Sequence, residues 1–175
     1  ARHFLKRGTP CIVTLMDCSK AFDMCSFKVL FNKLIDKDLP PLVVRTLVFI
    51  YQEQTAWVRW GEAQSSQFGI VNGTRKGSVL SPCFFAVYMD DLLKELRSLG
   101  VGCHIGDVFF GAAGFADDII LIAPCRSAMQ QMVSVCENFA LENNLLFSTD
   151  ENPEKSKTKC LYMCGHMDPV YPVPL

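Results

Sequence analysis

Three short segments carry residue types that can do chemistry. Phe115-Ala116-Asp117-Asp118 sets two carboxylates side by side between apolar stretches. Buried charges are unfavourable unless something compensates them. Successive residues of a strand point to opposite faces, so both acids serve one site only at a tight turn. A hairpin turn here would lift Asp117 toward a metal and leave Asp118 beside it; two acids in a turn are also an ordinary solvated loop. In LMDCSKAFD (15–23), Asp17 ends an apolar run, and Asp23 or Ser26 suits a helix N-cap better than Asp17 does. Hard cations that hold a phosphate take carboxylate oxygens from several chain segments. Asp17 and Asp117, 100 positions apart, supply them if their strands are neighbours within reach of a common divalent ion. Two ions about 3.5–4 Å apart would then activate a hydroxyl and stabilise a leaving pyrophosphate. In TRKGSVLSP (74–82), Gly77 permits close backbone approach and Arg75 and Lys76 offer charge to phosphates, although a plain surface loop would read the same.

The elements around these segments alternate irregularly. CIVTLMD (11–17) is a nearly unbroken apolar run and reads as a buried strand. Residues 25–37 place Phe27, Leu30, Phe31, Leu34 and Ile35 on one helical face, and Pro40 and Pro41 end that helix. LVVRTLVFIYQ (42–52) reads as a second helix, with strand open as the alternative because of its β-branched residues. AWVRW, Gly61-Glu62 and the polar run to FGIV predict a hairpin. Ser81-Pro82 opens a helix that Gly100 ends. A second hairpin is expected around Gly106, then the FADDIILIA strand, an amphipathic helix over 126–143, an extended start at 145–147 and a last strand at 158–163. PVYPVP cannot form a regular helix or a central strand. This order predicts an α+β fold with a mainly antiparallel sheet, with no repeat and no dividing linker.

Composition narrows the class. Hydrophobic residues make up 50% and charged residues 20% of the 175, a globular balance. No run approaches the roughly 20 apolar residues of a membrane span, and no signal peptide is read at the start. Nine scattered cysteines, an odd number in apolar company, read as buried thiols of a reducing compartment. Cys160, Cys164 and His166 lie close together without the second ligand pair that a zinc site needs. The net charge of −1 does not advertise nucleic-acid binding, but a site that holds divalent cations must itself be acidic. Lys155, Lys157 and Lys159 form a basic stripe at period two, which a solvated loop would also show.

Taken in order, LMDCSKAFD, TRKGSVLSPCFFAVYMDDL, FADDIIL and NPEKSKTKC resemble motifs A, B, C and D of reverse transcriptases over about residues 11–164. The SKAFD, LSP and ADD elements resemble the non-LTR, LINE-type branch near the CR1/L2-like elements; group II intron maturases share part of the pattern. The resemblance implies a polymerase palm, an α+β fold with a mainly antiparallel sheet packed against helices, and residues 1–175 as one partial reverse transcriptase domain. It implies an RNA-directed DNA polymerase, a nucleotidyltransferase, working with two Mg2+ ions or with Mn2+ in their place. The partners implied are an RNA template, a DNA primer, deoxynucleoside triphosphates, and fingers, thumb and endonuclease parts of the same polyprotein. No membrane is implied, and the location is intracellular, in nucleus and cytoplasm. The 175 residues alone are expected to give no measurable synthesis.

Position by position, Asp17 and Asp117 match metal-binding carboxylates and Asp118 the third acid. Phe22 matches the bulky gate that excludes a ribose 2′-hydroxyl, though a core phenylalanine is the plainer reading. Arg75, Lys76 and Gly77 match the segment that packs on nucleotide and template, and Lys155 matches the motif D lysine. Asp90 and Asp91 fall in the motif B helix and read as structural. Two positions depart from the pattern: Lys76 stands where glutamine is usual and Phe115 where tyrosine is usual. The competing readings are an inactive or domesticated relic of such a palm and an RNA-templated RNA polymerase. Phe22 disfavours the latter, because a smaller or polar residue would be expected there.

Overall fold

A computed structural model of the chain describes every residue except Arg75, Lys76, Glu151, Pro153, Glu154 and residues 165–170 and 173–175; for Arg2, Tyr171 and Pro172 it describes the backbone only. In chain order the elements are α1 (Arg2–Leu5), β1 (Cys11–Asp17), α2 (Ala21–Met24), α3 (Phe27–Asp36), α4 (Pro41–Gln52), β2 (Thr55–Ala56), β3 (Arg59–Trp60), β4 (Ala63–Gln64) and β5 (Phe68–Gly69). There follow α5 (Ser81–Ser98), β6 (His104–Ile105), β7 (Val108–Phe109), β8 (Ala112–Phe115), β9 (Asp118–Ala123), α6 (Arg126–Glu142), β10 (Lys159–Met163) and β11 (Tyr171–Pro172). The helices and antiparallel sheets make the α+β fold expected from the sequence.

The chain divides into two compact units: residues 1–21 with 89–175, and residues 22–88 inserted between them. The boundaries fall inside α2 and inside α5, so composition offers no linker to mark them.

The first unit is built on a five-stranded antiparallel sheet in the order β11-β10-β1-β9-β8. β1 is central, which explains its unbroken apolar run: Cys11, Ile12, Val13 and Thr14 are all buried. On one face Ile119, Leu121 and Ala123 of β9 lie buried with Ile12, Thr14 and Met16. α6 covers this face with a stripe of Ala128, Met129, Met132, Val133, Cys136, Phe139 and Ala140 at helical spacing. Thr14 is the polar exception; its hydroxyl reaches Met129 Sδ at 3.2 Å and Cys160 Sγ at 3.3 Å. The other face is covered at only one end, where Phe4 and Leu5 of α1 pack with Cys103, Ile122 and Met163 on Cys11 and Val13. Toward Asp17 and Asp118 that face is open, with Leu15 and Ile120 exposed. Pro172 sits on the edge strand, a sheet position that tolerates it.

The inserted unit gathers α3, α4 and the start of α5 around aromatic rings. Tyr51 meets Phe27, Phe31 and Phe84 at centroid distances of 5.1, 5.7 and 5.9 Å, each edge-on. α4 is helical despite its β-branched residues: Pro41 at its first position fixes a helical φ, and Val44 and Tyr51 are buried on one face, two turns apart. β3 and β4 form the expected hairpin, with the turn at Gly61-Glu62, and β2 pairs with β5 outside it. Among the described residues no helix is long and apolar enough to cross a membrane.

Candidate active site

The ladder between β1 and β9 runs antiparallel and ends at the pair Asp17–Asp118. Directly opposed residues keep their Cβ atoms about 4.5–5.5 Å apart on one face, so the two carboxylates share the open end of the sheet. The strands expected to be neighbours are neighbours. Between β8 and β9, Phe115 pairs with Asp118 and leaves Ala116 and Asp117 as a two-residue turn. Ala116 takes a left-handed φ of 53°, a strained setting for a residue with a Cβ. Asp117 is therefore in the turn, as its neighbour's identity required, and its carbonyl accepts from the Cys18 amide at 3.3 Å. The Phe115 ring lies on the surface.

Asp17 is held from its other side as well. Ser19 N donates to Leu146 O at 2.7 Å and Ser148 N to Asp17 O at 2.7 Å, while Thr158 N donates to Ser148 O at 3.1 Å. The extended start expected at 145–147 is thus a short pairing that ties the end of β1 to the approach of β10. Beneath it, the Cys18 thiol is pushed up to about 12, first by burial and then by the negative charge of Asp117 and Asp17. Both carboxylates therefore act on one buried point.

One oxygen of Asp17, Oδ2, is shut off from solvent and takes no hydrogen bond among the described residues. The Lys157 ammonium lies 3.4 Å from it, near enough for an ion pair but not aligned as a hydrogen bond. Asp17, Asp118 and Lys157, with Leu15 and Ile120, line an open cleft of about 270 Å³ on this face. Among the described residues no group of three or more His, Cys, Asp or Glu side chains is arranged to hold a metal. Two facing carboxylates nonetheless suit a small hard cation, because Mg2+ commonly binds through one or two carboxylates and completes its shell with water and substrate phosphate. The unsatisfied Oδ2 fits such an ion.

Lys155 is exposed, and its amide closes a turn onto Asn152 O at 3.0 Å. Lys157 is the lysine that reaches Asp17, and the sequence marked it only as one member of the stripe. Its position two residues before β10 was the available signal. Asp90 and Asp91 pair with Lys94 at 2.9 and 3.7 Å along α5, a structural role. Cys160 is buried in β10, Cys164 is exposed, and His166 lies outside the described residues.

In the inserted unit, the half-buried Phe22 ring rests on the buried Phe85 at 4.9 Å. The loop before α5 is stitched to the same stretch: Thr74 N donates to Phe22 O at 2.6 Å and Gly73 N to Cys25 O at 2.8 Å. A Cβ at Gly73 would meet Phe22 O at 3.0 Å and Asp23 Cα at 3.1 Å, so a side chain there would have to push that backbone aside. Gly77 has a φ of 80° with open space around it. Arg75 and Lys76, between these glycines, lie outside the described residues.

Comparison with known proteins gives the family and the fold. Residues 2–166 match the family described as Reverse transcriptase (RNA-dependent DNA polymerase). The chain is 29% identical over 150 residues to the Pol polyprotein of the retrotransposable element R2DM of Drosophila melanogaster, covering 86% of this chain and 14% of that protein. It is 28% identical over 153 residues to the R2 Pol polyprotein of Nasonia vitripennis, covering 87% and 14%. The chain thus spans about one seventh of the length of these relatives. Among solved structures it is similar in fold to telomerase from Candida albicans in complex with a fragment of telomeric RNA, with a TM-score of 0.55, 11% identity, and coverage of 96% of this chain and 29% of that one. That likeness is one of fold, the polymerase palm. With its paired carboxylates on the open end of that palm sheet, the chain belongs to the reverse transcriptase family.

Proposed function

We propose that this chain is the catalytic palm of an RNA-directed DNA polymerase and that residues 1–175 act as one partial polymerase domain. The observation that carries this reading is the Asp17–Asp118 register pair, with Asp117 in the adjoining turn and Asp17 Oδ2 unsatisfied. Asp17, Asp117 and Asp118 would hold divalent cations, Mg2+ or Mn2+. When bound, such ions activate a primer hydroxyl and neutralise a leaving pyrophosphate. The chain's own contribution is position: β1 and β9 fix the acids on a rigid sheet, and misplacement by about 1 Å at such a site lowers rates on the order of 100-fold.

Phe22 is the gate in this reading. Its ring is backed by Phe85, so it keeps its place and blocks a 2′-hydroxyl by volume rather than by a polar contact. Arg75, Lys76 and Gly77 would face nucleotide and template, and the substrates are deoxynucleoside triphosphates on an RNA template with a DNA primer. Lys155, by its match to motif D, and Lys157, by its contact with Asp17, are the two lysines available to the triphosphate.

The test uses a polymerase that carries this palm together with its flanking segments. Asp117→Ala is expected to lower template-dependent DNA synthesis by at least about 1,000-fold, the several kcal/mol that a lost metal ligand removes. Activity within tenfold of the parent would overturn the assignment. Phe22→Ala is expected to raise ribonucleotide use relative to deoxynucleotide use in single-nucleotide incorporation. An unchanged ratio at an unchanged rate would reduce Phe22 to a packing residue.

A further inference from the structure

Asp17 Oδ2 is buried and takes no hydrogen bond among the described residues, and a carboxylate oxygen in that setting requires positive charge nearby. The ammonium that answers it stands at 3.4 Å, beyond the 2.7–2.9 Å or so of a charge-assisted hydrogen bond. The pair is therefore held by charge alone. Lys157 leaves 68% of its side chain in solvent, so its head can depart without being uncovered from a pocket.

The backbone beneath Lys157 has no such freedom. Ser156 and Thr158 on either side are both buried, and Ser156 Oγ donates to Thr158 O at 3.0 Å. Thr158 N is bonded to Ser148 O, and Ser148 N to Asp17 O. Two hydrogen bonds thus connect the base of the lysine arm to the residue its tip contacts. The arm pivots on a fixed mount.

We propose that Lys157 is a tethered counter-cation of Asp17, occupying by charge the place that a divalent ion takes over, so that ion binding and lysine release are one exchange. Mg2+ binds carboxylate oxygen at about 2.1 Å. An ammonium left at its present station would then face a doubly charged cation across the same oxygen. Repulsion at that range drives the lysine out, and its tether keeps it at the rim of the cleft. Without the ion, the lysine spares Asp17 the cost of an unpaired buried charge. Lys155, out on its turn, has no part in the exchange. The proposal rests on the reading of Asp17 as an ion ligand, but not on polymerase activity, and its test measures binding only.

The experiment titrates Mn2+ into the 175-residue chain by isothermal calorimetry, comparing it with Lys157→Gln, Lys155→Gln and Lys157→Gln/Asp17→Asn. Lys157→Gln is expected to tighten Mn2+ binding about three- to tenfold, the scale of a partly solvated ion pair. The gain should shrink at 0.5 M salt, where the Debye length falls to about 4 Å. Lys155→Gln should leave the affinity within about twofold, since exposed charges at a distance are screened. The added Asp17→Asn change should remove the gain. Unchanged or weaker binding in Lys157→Gln overturns the proposal, as does an equal gain in Lys155→Gln or an absence of Mn2+ binding in every variant. If Lys157→Gln misfolds, reductive 13C-methylation of the native lysines keeps the charge. The Lys157 methyl resonance should then shift on adding Mg2+ and stay fixed in Asp17→Asn; a resonance indifferent to Mg2+ overturns the exchange. Retention of DNA synthesis by Asp117→Ala in the longer polymerase, with the Mn2+ effect intact, would count against the polymerase reading and not against this one.

Discussion

The sheet unit and the inserted unit hold their key residues by different means. In the first, β1 is clamped on both edges by strands that come from more than 100 residues later in the chain, and the positions of β9 buried under α6 alternate with the pleat. In the second, helices meet around Tyr51, the ladders are two residues long, and large apolar side chains stand in solvent: Trp60 is 86% exposed, with Leu42, Phe49 and Val71 also uncovered. Charge divides the same way. Residues 22–88 carry seven Lys and Arg against five Asp and Glu; the remainder carries ten against thirteen. The overall −1 is thus the sum of an acidic sheet unit and a basic insertion, and the mean hides both. Long-range ladders fix a carboxylate pair in register on neighbouring strands. Local packing suffices for a surface that presents rings and cations, provided that one stretch, Phe22 to Ser26, is pinned.

Substitutions chosen in matched pairs would break this contrast if it is false. Leu121→Ala, in the fully buried heart of β9, is expected to destabilise the chain by about 2–5 kcal/mol, while Trp60→Ala on the outer hairpin should stay within about 0.5 kcal/mol. Urea unfolding followed by circular dichroism reads both, and similar losses at the two positions would erase the distinction. Next in size is Gly73→Ala. It combines a left-handed φ of 93° with backbone atoms at 3.0–3.1 Å, and about 2–4 kcal/mol should be lost. Gly77→Ala, strained in φ but unobstructed, should lose less in the same melt; an equal loss would mean that contact with Phe22 and Asp23 contributes nothing. The smallest effect is expected at Thr14→Val. Its hydroxyl, fully enclosed, has only sulfur acceptors among the described residues, and these are weak, so the change should be neutral or stabilising by up to about 1 kcal/mol. A loss above that would show that the sulfur contacts hold β1 against α6.

Much of this was legible in residue order. The Asp17 and Asp117 carboxylates stand out by residue type; the strand character of 11–17 and of 115–123, which the structure divides at the Ala116-Asp117 turn, the two glycine hairpins and the amphipathic 126–143 helix follow from periodicity and turn chemistry. Six of the nine thiols are buried as their apolar surroundings implied; Cys83, Cys125 and Cys164 are not. The missing parts share a cause. α1 has four residues, too few to carry a helical period, and exists because Phe4 and Leu5 cover Cys11 and Val13. Sequence drew attention to Gly77, whereas the glycine pressed against backbone is Gly73, because the contact is made by a segment 50 residues earlier. Lys155 and Lys157 differ by nothing local; pairing of Thr158 with Ser148 decides which of them meets Asp17. Tertiary contacts choose among residues that look equivalent in line.

The antiparallel register that sets Asp17 opposite Asp118 also dictates where the coding sequence can change length. A single codon inserted between Ile119 and Ala123 would send the residues beyond it to the opposite face, exposing side chains that now lie under α6, or else slide Asp118 away from Asp17. Such a copy would be lost whatever the chemical mildness of the added residue. The turn at Gly61-Glu62 has no comparable parity to keep, since its strands are two residues long and open to solvent on both sides. In a lineage of drifting copies, gains and losses of single codons should therefore collect between Glu53 and Ile70 and be nearly missing from β1 and β9. The reading frame records the pleat.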